Sequence, residues 1–212
     1  MNFERAALCG LTIMLHMNTV QEEIAATAAR MVVEEGLEYG PAKRRAVKLL
    51  GLNARAQLPN NDQVEDAVRE YLALFCADTQ PAELQALRGL AAVWMERMAV
   101  FRPHLGGAVW RGTATGLSDI YLQLFCDDSK SAEISLIDHN VRYEVSTVQG
   151  FQGEAVDALS ILCICPSLSQ KVLVHLMIYD VDDLRGALKP DGQGRTYRGD
   201  LAALNKLMKE FE

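Results

Sequence analysis

The residue types best suited to chemistry lie in one stretch of the chain, where a glycine-rich turn comes just before an aspartate. The turn spans Gly112 to Gly116, and Asp119 opens a segment, 119–126, in which apolar and polar residues alternate. Glycine lets a backbone approach phosphate oxygens closely, and carboxylates at the start of a strand can hold divalent cations. This arrangement predicts a site for a phosphate compound and its metal ion, as in nucleotide chemistry.

The alternation assigns side chains to two faces of the predicted strand. Asp119, Tyr121 and Gln123 fall on one face, whereas the aliphatic residues between them fall on the other and must pack against helices. The polar face is therefore free to line a cleft beside the turn. Thr113 and Ser118 carry hydroxyl groups that can donate hydrogen bonds to phosphate oxygens in that cleft.

A glycine followed by a small residue, and then Ser-Asp-Ile-x-Leu on a strand, resembles the motif of the polymerase-β-type nucleotidyltransferase superfamily. Members of that superfamily transfer a nucleoside monophosphate from a nucleoside triphosphate, using two metal ions held by carboxylates on neighbouring strands. The resemblance covers a short stretch of the chain. It implies a nucleotidyltransferase-like mixed sheet with flanking helices, a nucleoside triphosphate as partner and Mg²⁺ as cofactor.

Two registers of this motif fit the sequence. In the first, Gly112 and Thr113 are the glycine and small residue behind a strand at 108–111, with a shorter gap to Asp119 than the family usually has. In the second, a double glycine at 106–107 takes that place, as in the tRNA-end-adding members, and the gap is of the usual length. The strand before the double glycine would contain a proline. We prefer the first register because 108–111 has the better strand composition.

The resemblance also implies which residues hold metal. Both registers make Asp119 the first metal ligand and the catalytic carboxylate, and both place Tyr121 where the second carboxylate belongs. A neutral phenol does not supply the charge that Mg²⁺ needs. The family's third carboxylate comes from a later, adjacent strand. Asp180, at the end of the predicted strand 171–179, is our candidate for that ligand, with Asp182 behind it.

Each part of this site also has a purely structural interpretation. Gly112 to Gly116 can form an ordinary tight turn, whose backbone Asp119 binds. Asp180 can cap a helix that begins near Leu184. Two functional hypotheses stay open: a metal-dependent nucleotidyltransferase, and a catalytically degenerate module on the same fold that binds a nucleotide or a protein. An unrelated fold whose turn matches the motif by chance is a third interpretation.

Hydrophobic periodicity divides the chain into a helical front and a sheet-rich remainder. The sequence predicts helices at 19–35, 41–51, 61–76 and 79–100, strands at 119–126, 132–138, 141–148, 156–165 and 171–179, and a last helix after Asp200. We therefore expect an α+β fold. Its helical region covers 1–102, and its nucleotidyltransferase-like mixed sheet with flanking helices covers 103–212.

Bulk composition excludes some classes of protein. The net charge of −7 argues against generic coating of DNA and against adsorption to anionic membranes. The five cysteines form no disulfide framework, which favours a reducing, cytoplasmic location. The apolar run at 6–17 is too short to span a membrane, so we expect no membrane partner. A capping-box pattern from Thr19 to Glu22 predicts that the first helix starts there.

Positive charge concentrates around the second predicted helix, at Lys43, Arg44 and Arg45. Such a cluster can contact nucleic acid, and it would then give salt-sensitive binding. Glutamates just upstream can neutralise the cluster, so a solvated helix face is the alternative. The four histidines form no metal-binding pair at helical spacing, and no serine lies in a nucleophile-elbow sequence.

Overall fold

The computed structural model describes residues 3–151, 153–190 and 194–210. The chain divides into two compact units, Met1–Asp78 and Thr79–Glu212, which we call the helical unit and the sheet unit. Helices make up the first, and a six-stranded mixed sheet with helices makes up the second. The expected α+β fold with an N-terminal helical region is thereby confirmed. Among the described residues, no helix combines the length and the apolar character needed to cross a membrane.

The helical unit consists of α1 (Phe3–Glu35), α2 (Tyr39–Leu49) and α3 (Asn61–Phe75). Small and branched aliphatic side chains form its core. The buried positions include Ile24, Ala25, Ala28, Ala29, Ala42, Ala46, Val64 and Val68. Because many of these side chains are short, the helices can approach closely, and the unit has its own hydrophobic core.

The ends of the helices follow sequence signals in one case and not in another. Asn60 caps α3, because its side chain accepts a hydrogen bond from the Gln63 N–H while the Gln63 side chain accepts one from the Asn60 N–H. Thr19 does not start a helix. The first helix runs from Phe3 through Thr19 to Glu35 without a break, so the start predicted from the capping-box pattern is wrong.

The sheet unit alternates helices and strands. Its helices are α4 (Gln80–Arg97), α5 (Gly107–Arg111), α6 (Ser131–Asp138), α7 (Leu184–Ala187) and α8 (Leu201–Lys209), and its strands are β1 (His104–Gly106), β2 (Ile120–Cys126), β3 (Glu144–Gln149), β4 (Ala155–Cys165), β5 (Gln170–Asp180) and β6 (Arg198–Gly199). The strand order is β3-β4-β5-β2-β1-β6. The β2–β5 pair is parallel and the remaining pairs are antiparallel, which makes the sheet mixed.

One face of the sheet is apolar and buried. Ile120, Leu122 and Leu124 of β2 lie on this face beside Val174 and Leu176 of β5. Their alternation with the polar-face residues is the strand periodicity expected from the sequence. The central strands are thereby fixed with one side in the core and the other side available for a site.

The first helix of the sheet unit covers this apolar face. The side chains that α4 contributes to the same core are Leu84, Leu87, Ala91, Trp94 and Met95. This packing explains why the compact units divide after Asp78, earlier than the boundary expected after residue 102. The helix that the sequence assigned to the front region belongs structurally with the sheet.

Most of the predicted strands are present. The structure confirms those at 119–126, 141–148, 156–165 and 171–179 as β2, β3, β4 and β5. The strand predicted at 132–138 is wrong, because these residues form α6. Ala132 and Leu136 lie one helical turn apart and are buried together, so burial of this helical stripe outweighs the apolar–polar alternation of the segment.

The last strand depends on a glycine that an aromatic ring encloses. A Cβ added at Gly199 would overlap carbon atoms of the Trp110 ring, whose Nε1 donates a hydrogen bond to the Thr196 carbonyl at 2.8 Å. We expect Gly199→Ala to lower the free energy of unfolding of the sheet unit by about 2 kcal/mol, measured by urea denaturation. Gly89→Ala is the control, since a Cβ there meets open space. Equal stability of the two variants would contradict this packing.

Candidate functional site

The parallel pairing of β2 and β5 brings Asp119 beside His175. Tyr121 is the register partner of His175, and His175 Nε2 lies 3.4 Å from Asp119 Oδ2. The rings of Tyr121 and His175 stack with their centroids 4.8 Å apart and 22° between their planes. The side chain of Asp119 is 38% exposed and that of His175 is 18% exposed, so solvent reaches this group.

The neighbouring strand β4 adds a third side chain. Ser160 is the cross-strand partner of His175, and its Oγ lies 2.8 Å from His175 Nδ1. Ser160, His175 and Asp119 therefore form a continuous row of polar contacts, which we call the polar row. The serine of a typical α/β-hydrolase lies on a sharp strand-to-helix turn, whereas Ser160 lies within β4. No local pattern in the sequence identifies this row.

The other expected metal ligand, Asp180, lies at the opposite end of the same strand pair. It is the register partner of Cys126, about 20 Å from Asp119 at the usual rise per strand residue. Its carboxylate accepts a hydrogen bond from the Asp182 N–H at 2.8 Å and caps the short 3₁₀ turn Val181–Asp183. The expected pair of Asp119 and Asp180 is not brought together. Across the described ranges, no cluster of three or more His, Cys, Asp or Glu side chains is placed to hold a metal ion.

The glycine turn is held from within the protein. The N–H groups of Gly112 and Thr113 both donate to the Ala108 carbonyl. The side-chain amide of Gln80 donates to the carbonyls of Gly112 and Ala114, at 3.2 and 2.8 Å. Thr113 is itself buried. We expected the backbone of this turn to approach phosphate oxygens closely, but its Gly112 and Thr113 N–H groups are already hydrogen-bonded inside the protein.

The remainder of the turn is fastened in the same way. The Gly116 N–H donates to the Glu83 carboxylate at 2.7 Å, and the Ser118 hydroxyl accepts a hydrogen bond from the Thr115 N–H at 3.0 Å. Glu83 and Gln80 both belong to α4, so this helix holds the turn on two sides. The turn thus connects α5 to β2 as a structural element.

The chain upstream of this turn has the local structure that the second register requires. β1 ends at Gly106 and α5 begins at Gly107, so a strand does precede the double glycine. The strand expected at 108–111 is wrong, because these residues belong to α5. Gly107 has a φ of 67°, and a Cβ there would lie 3.4 Å from the Tyr121 ring. The double-glycine corner, Gly106 and Gly107, therefore lies directly beside Tyr121.

The polar face continues past Tyr121 with two buried side chains. Gln123 and Arg198 are each 9% exposed. Gln123 Oε1 and the Nε and Nη1 of Arg198 have no hydrogen-bond partner in the part of the chain that the structure describes. Arg198 is the cross-strand partner of Gly106, and its guanidinium lies 4.3 Å from the centre of the Phe151 ring. Burial lowers the pKa of Arg198. A buried positive charge thus lies on the same face as the double-glycine corner.

Two of the three cations considered for nucleic-acid contact have partners within the helical unit. Lys43 Nζ donates to the Pro59 carbonyl at 3.1 Å and to Asn61 Oδ1 at 2.8 Å. Arg45 forms an ion pair with Glu35. These contacts tie α2 to its own surroundings, and nucleic-acid binding at this cluster stays a prediction.

Comparisons with known proteins add no relative to this picture. No protein-family model matches the chain, and no curated protein or solved structure matches it. The side chains of the polar row and the backbone of the double-glycine corner are therefore the basis on which a function can be assigned.

Proposed function

We propose that the sheet unit binds a nucleoside triphosphate at the double-glycine corner and is a catalytically degenerate nucleotidyltransferase-like module. The composition of the polar row carries this proposal. Asp119 faces His175, and Tyr121 stacks on that histidine, where two-metal chemistry needs further carboxylates. The motif resembles that of nucleotide-binding proteins, but this row has a single carboxylate. That combination supports binding of the triphosphate without transfer of the nucleotide.

The donor atoms of the polar row do not fit a pair of Mg²⁺ ions. Mg²⁺ requires oxygen ligands in near-octahedral geometry. The row supplies one carboxylate, one imidazole and one hydroxyl group. Tyr121 brings a neutral phenol, and Asp180 caps a turn at the other end of the strands. Mg²⁺-dependent transfer of a nucleoside monophosphate is therefore the less well supported of the two functions.

The double-glycine corner has features that a polyphosphate requires. The first N–H groups of a helix have no intrahelical acceptor, and no side chain caps the start of α5. Gly107 is partly exposed and has no Cβ, so a ligand can approach its backbone closely, whereas Gly106 is buried within β1. Arg198 pairs with Gly106, but its guanidinium packs over the Phe151 ring beside Tyr179 and not at the corner. The backbone donors at the start of α5 are thus the groups that suit phosphate oxygens.

Binding and transfer can be measured on the same protein. We expect a nucleoside triphosphate to bind the wild-type chain in equilibrium dialysis. We expect no transfer of an α-labelled nucleotide to protein, RNA or small acceptors with Mg²⁺ or Mn²⁺. Gly107→Ala should weaken binding by about tenfold, because a side chain disfavours the positive φ of this position and the added Cβ narrows the space beside the Tyr121 ring.

Gly51→Ala is the matched control for this variant. Gly51 has a φ of 64°, but it belongs to the helical unit and has open space around it. It should bind the triphosphate as the wild type does. Absence of triphosphate binding at millimolar concentration would overturn the proposed function. Transfer activity that is lost in Asp119→Ala would instead establish an active nucleotidyltransferase.

A further inference from the structure

We infer that Asp119 and His175 are the two protein ligands of a single divalent transition-metal ion. This inference rests on the proposed function for the remaining ligands, which are phosphate oxygens of the bound nucleotide. The ion is a borderline cation such as Zn²⁺ or Co²⁺, because an imidazole nitrogen suits these ions whereas Mg²⁺ prefers oxygen. The carboxylate of Asp119 and the imidazole of His175 do not suit two Mg²⁺ ions, but they suit one ion of this class.

The separation of the two donor atoms matches one edge of a coordination sphere. Asp119 Oδ2 and His175 Nε2 are 3.4 Å apart. Metal–ligand bonds of about 2.0–2.2 Å at a tetrahedral angle place two ligand atoms about 3.4 Å apart. A charge-assisted hydrogen bond between a nitrogen and a carboxylate is shorter, about 2.7–2.9 Å. An ion can therefore bridge these two atoms without movement of either strand.

Ser160 orients the imidazole for this role. Its Oγ lies 2.8 Å from His175 Nδ1 and can accept the proton carried by that nitrogen. In this tautomer the lone pair of Nε2 faces Asp119 and is available to a metal ion. Metal-binding histidines usually make such a second hydrogen bond, which fixes the ring. The stacked ring of Tyr121 restrains the imidazole further.

The remaining coordination positions are open. Asp119 is 38% exposed and His175 is 18% exposed, so both donor groups are accessible from solvent. Gly107 contacts the Tyr121 ring, which stacks on His175, so this one ring separates the proposed phosphate site from the metal site. Phosphate oxygens or water can complete the coordination, as in zinc sites that keep a position for substrate.

Titration of the metal-free, full-length chain with Co²⁺ tests the site without nucleotide. We expect one Co²⁺ per chain, with the visible absorption of a protein-bound ion and without the thiolate charge-transfer band that cysteine ligands give. His175→Gln and Asp119→Asn should each weaken Co²⁺ binding by more than about tenfold, and Ser160→Ala by about tenfold through loss of ring orientation. An equal concentration of Mg²⁺ should not displace the cobalt.

His139→Gln and Asp127→Asn are the matched controls, since both residues are exposed and lie outside the polar row. Thermal melting verifies that each variant is folded. Absence of Co²⁺ binding, binding that survives in both ligand variants, or a thiolate band would overturn the inference. Triphosphate binding with excess chelator separates the two proposals. Binding of the triphosphate without binding of Co²⁺ would contradict the metal site and leave the proposed function supported. Binding of Co²⁺ without binding of the triphosphate would contradict the proposed function alone.

Discussion

Leu176→Ala should lower the free energy of unfolding of the sheet unit by about 3 kcal/mol. Leu176 is fully buried in β5. Its register partners are Leu122 in β2 and Leu159 in β4, which are buried on the same face. Truncation leaves a cavity between three strands that backbone hydrogen bonds hold in place, so the neighbouring side chains can close it only in part.

Urea denaturation followed by tryptophan fluorescence measures this loss. The two tryptophans of the chain, Trp94 and Trp110, both belong to the sheet unit, so the signal reports that unit. Leu173→Ala is the matched control, because Leu173 is half-buried on the same strand and points to the polar face. Leu173→Ala should lower the free energy of unfolding by less than about 1 kcal/mol. Equal losses in the two variants would contradict the assignment of an apolar and a polar face.

Arg88→Met should lower the free energy of unfolding of the sheet unit by about 2–4 kcal/mol, because it removes a buried guanidinium from two backbone carbonyls. Arg88 is 3% exposed, and burial lowers its pKa. Its Nε donates to the Val109 carbonyl at 3.2 Å and its Nη2 to the Trp110 carbonyl at 3.5 Å. These are carbonyls near the end of α5, which a helix leaves without intrahelical partners. Methionine fills the space but leaves both acceptors buried and unpaired.

The same denaturation experiment tests this prediction. Arg97→Met is the control on the same helix, because Arg97 is exposed and stacks over Trp94 at 5.1 Å without a buried acceptor. Arg97→Met should lower the free energy of unfolding by less than about 1 kcal/mol. If Arg88→Met lowers the free energy of unfolding no more than Arg97→Met does, the hydrogen bonds from Arg88 do not stabilise the packing of α5 on α4.

Periodicity predicts the long strands of this chain, but it does not predict the short connecting elements. The segment that forms β2 alternates apolar and polar residues, and the segment that forms β4 is a long, largely apolar run; burial of these residues dominates local preference. Residues 132–138 also alternate, yet they fold as α6, since Ala132 and Leu136 are buried together as a helical stripe. Residues 108–111 form α5, whose final carbonyls Arg88 satisfies. In such short segments, contacts that are distant in sequence decide the structure.

At the candidate site the sequence predicts faces but not register. Alternation predicts that Asp119 and Tyr121 share the polar face, and both meet His175 there. Which residue of β5 lies opposite Asp119 depends on a parallel pairing across 56 positions of sequence, and no local pattern encodes that pairing. The register brings His175 to Asp119 and leaves Asp180 at the far end. The one signal for His175 is its polar side chain within the otherwise apolar run 172–179.

Heteronuclear NMR of the glycine amides during titration with a non-hydrolysable nucleoside triphosphate tests binding at the double-glycine corner most directly. We expect saturable shift changes that are largest at Gly107, with no change at Gly51 in the helical unit. This result would follow from phosphate oxygens that accept hydrogen bonds from the corner's N–H groups. Changes confined to Gly112 and Gly116, or no change at millimolar concentration, would contradict it.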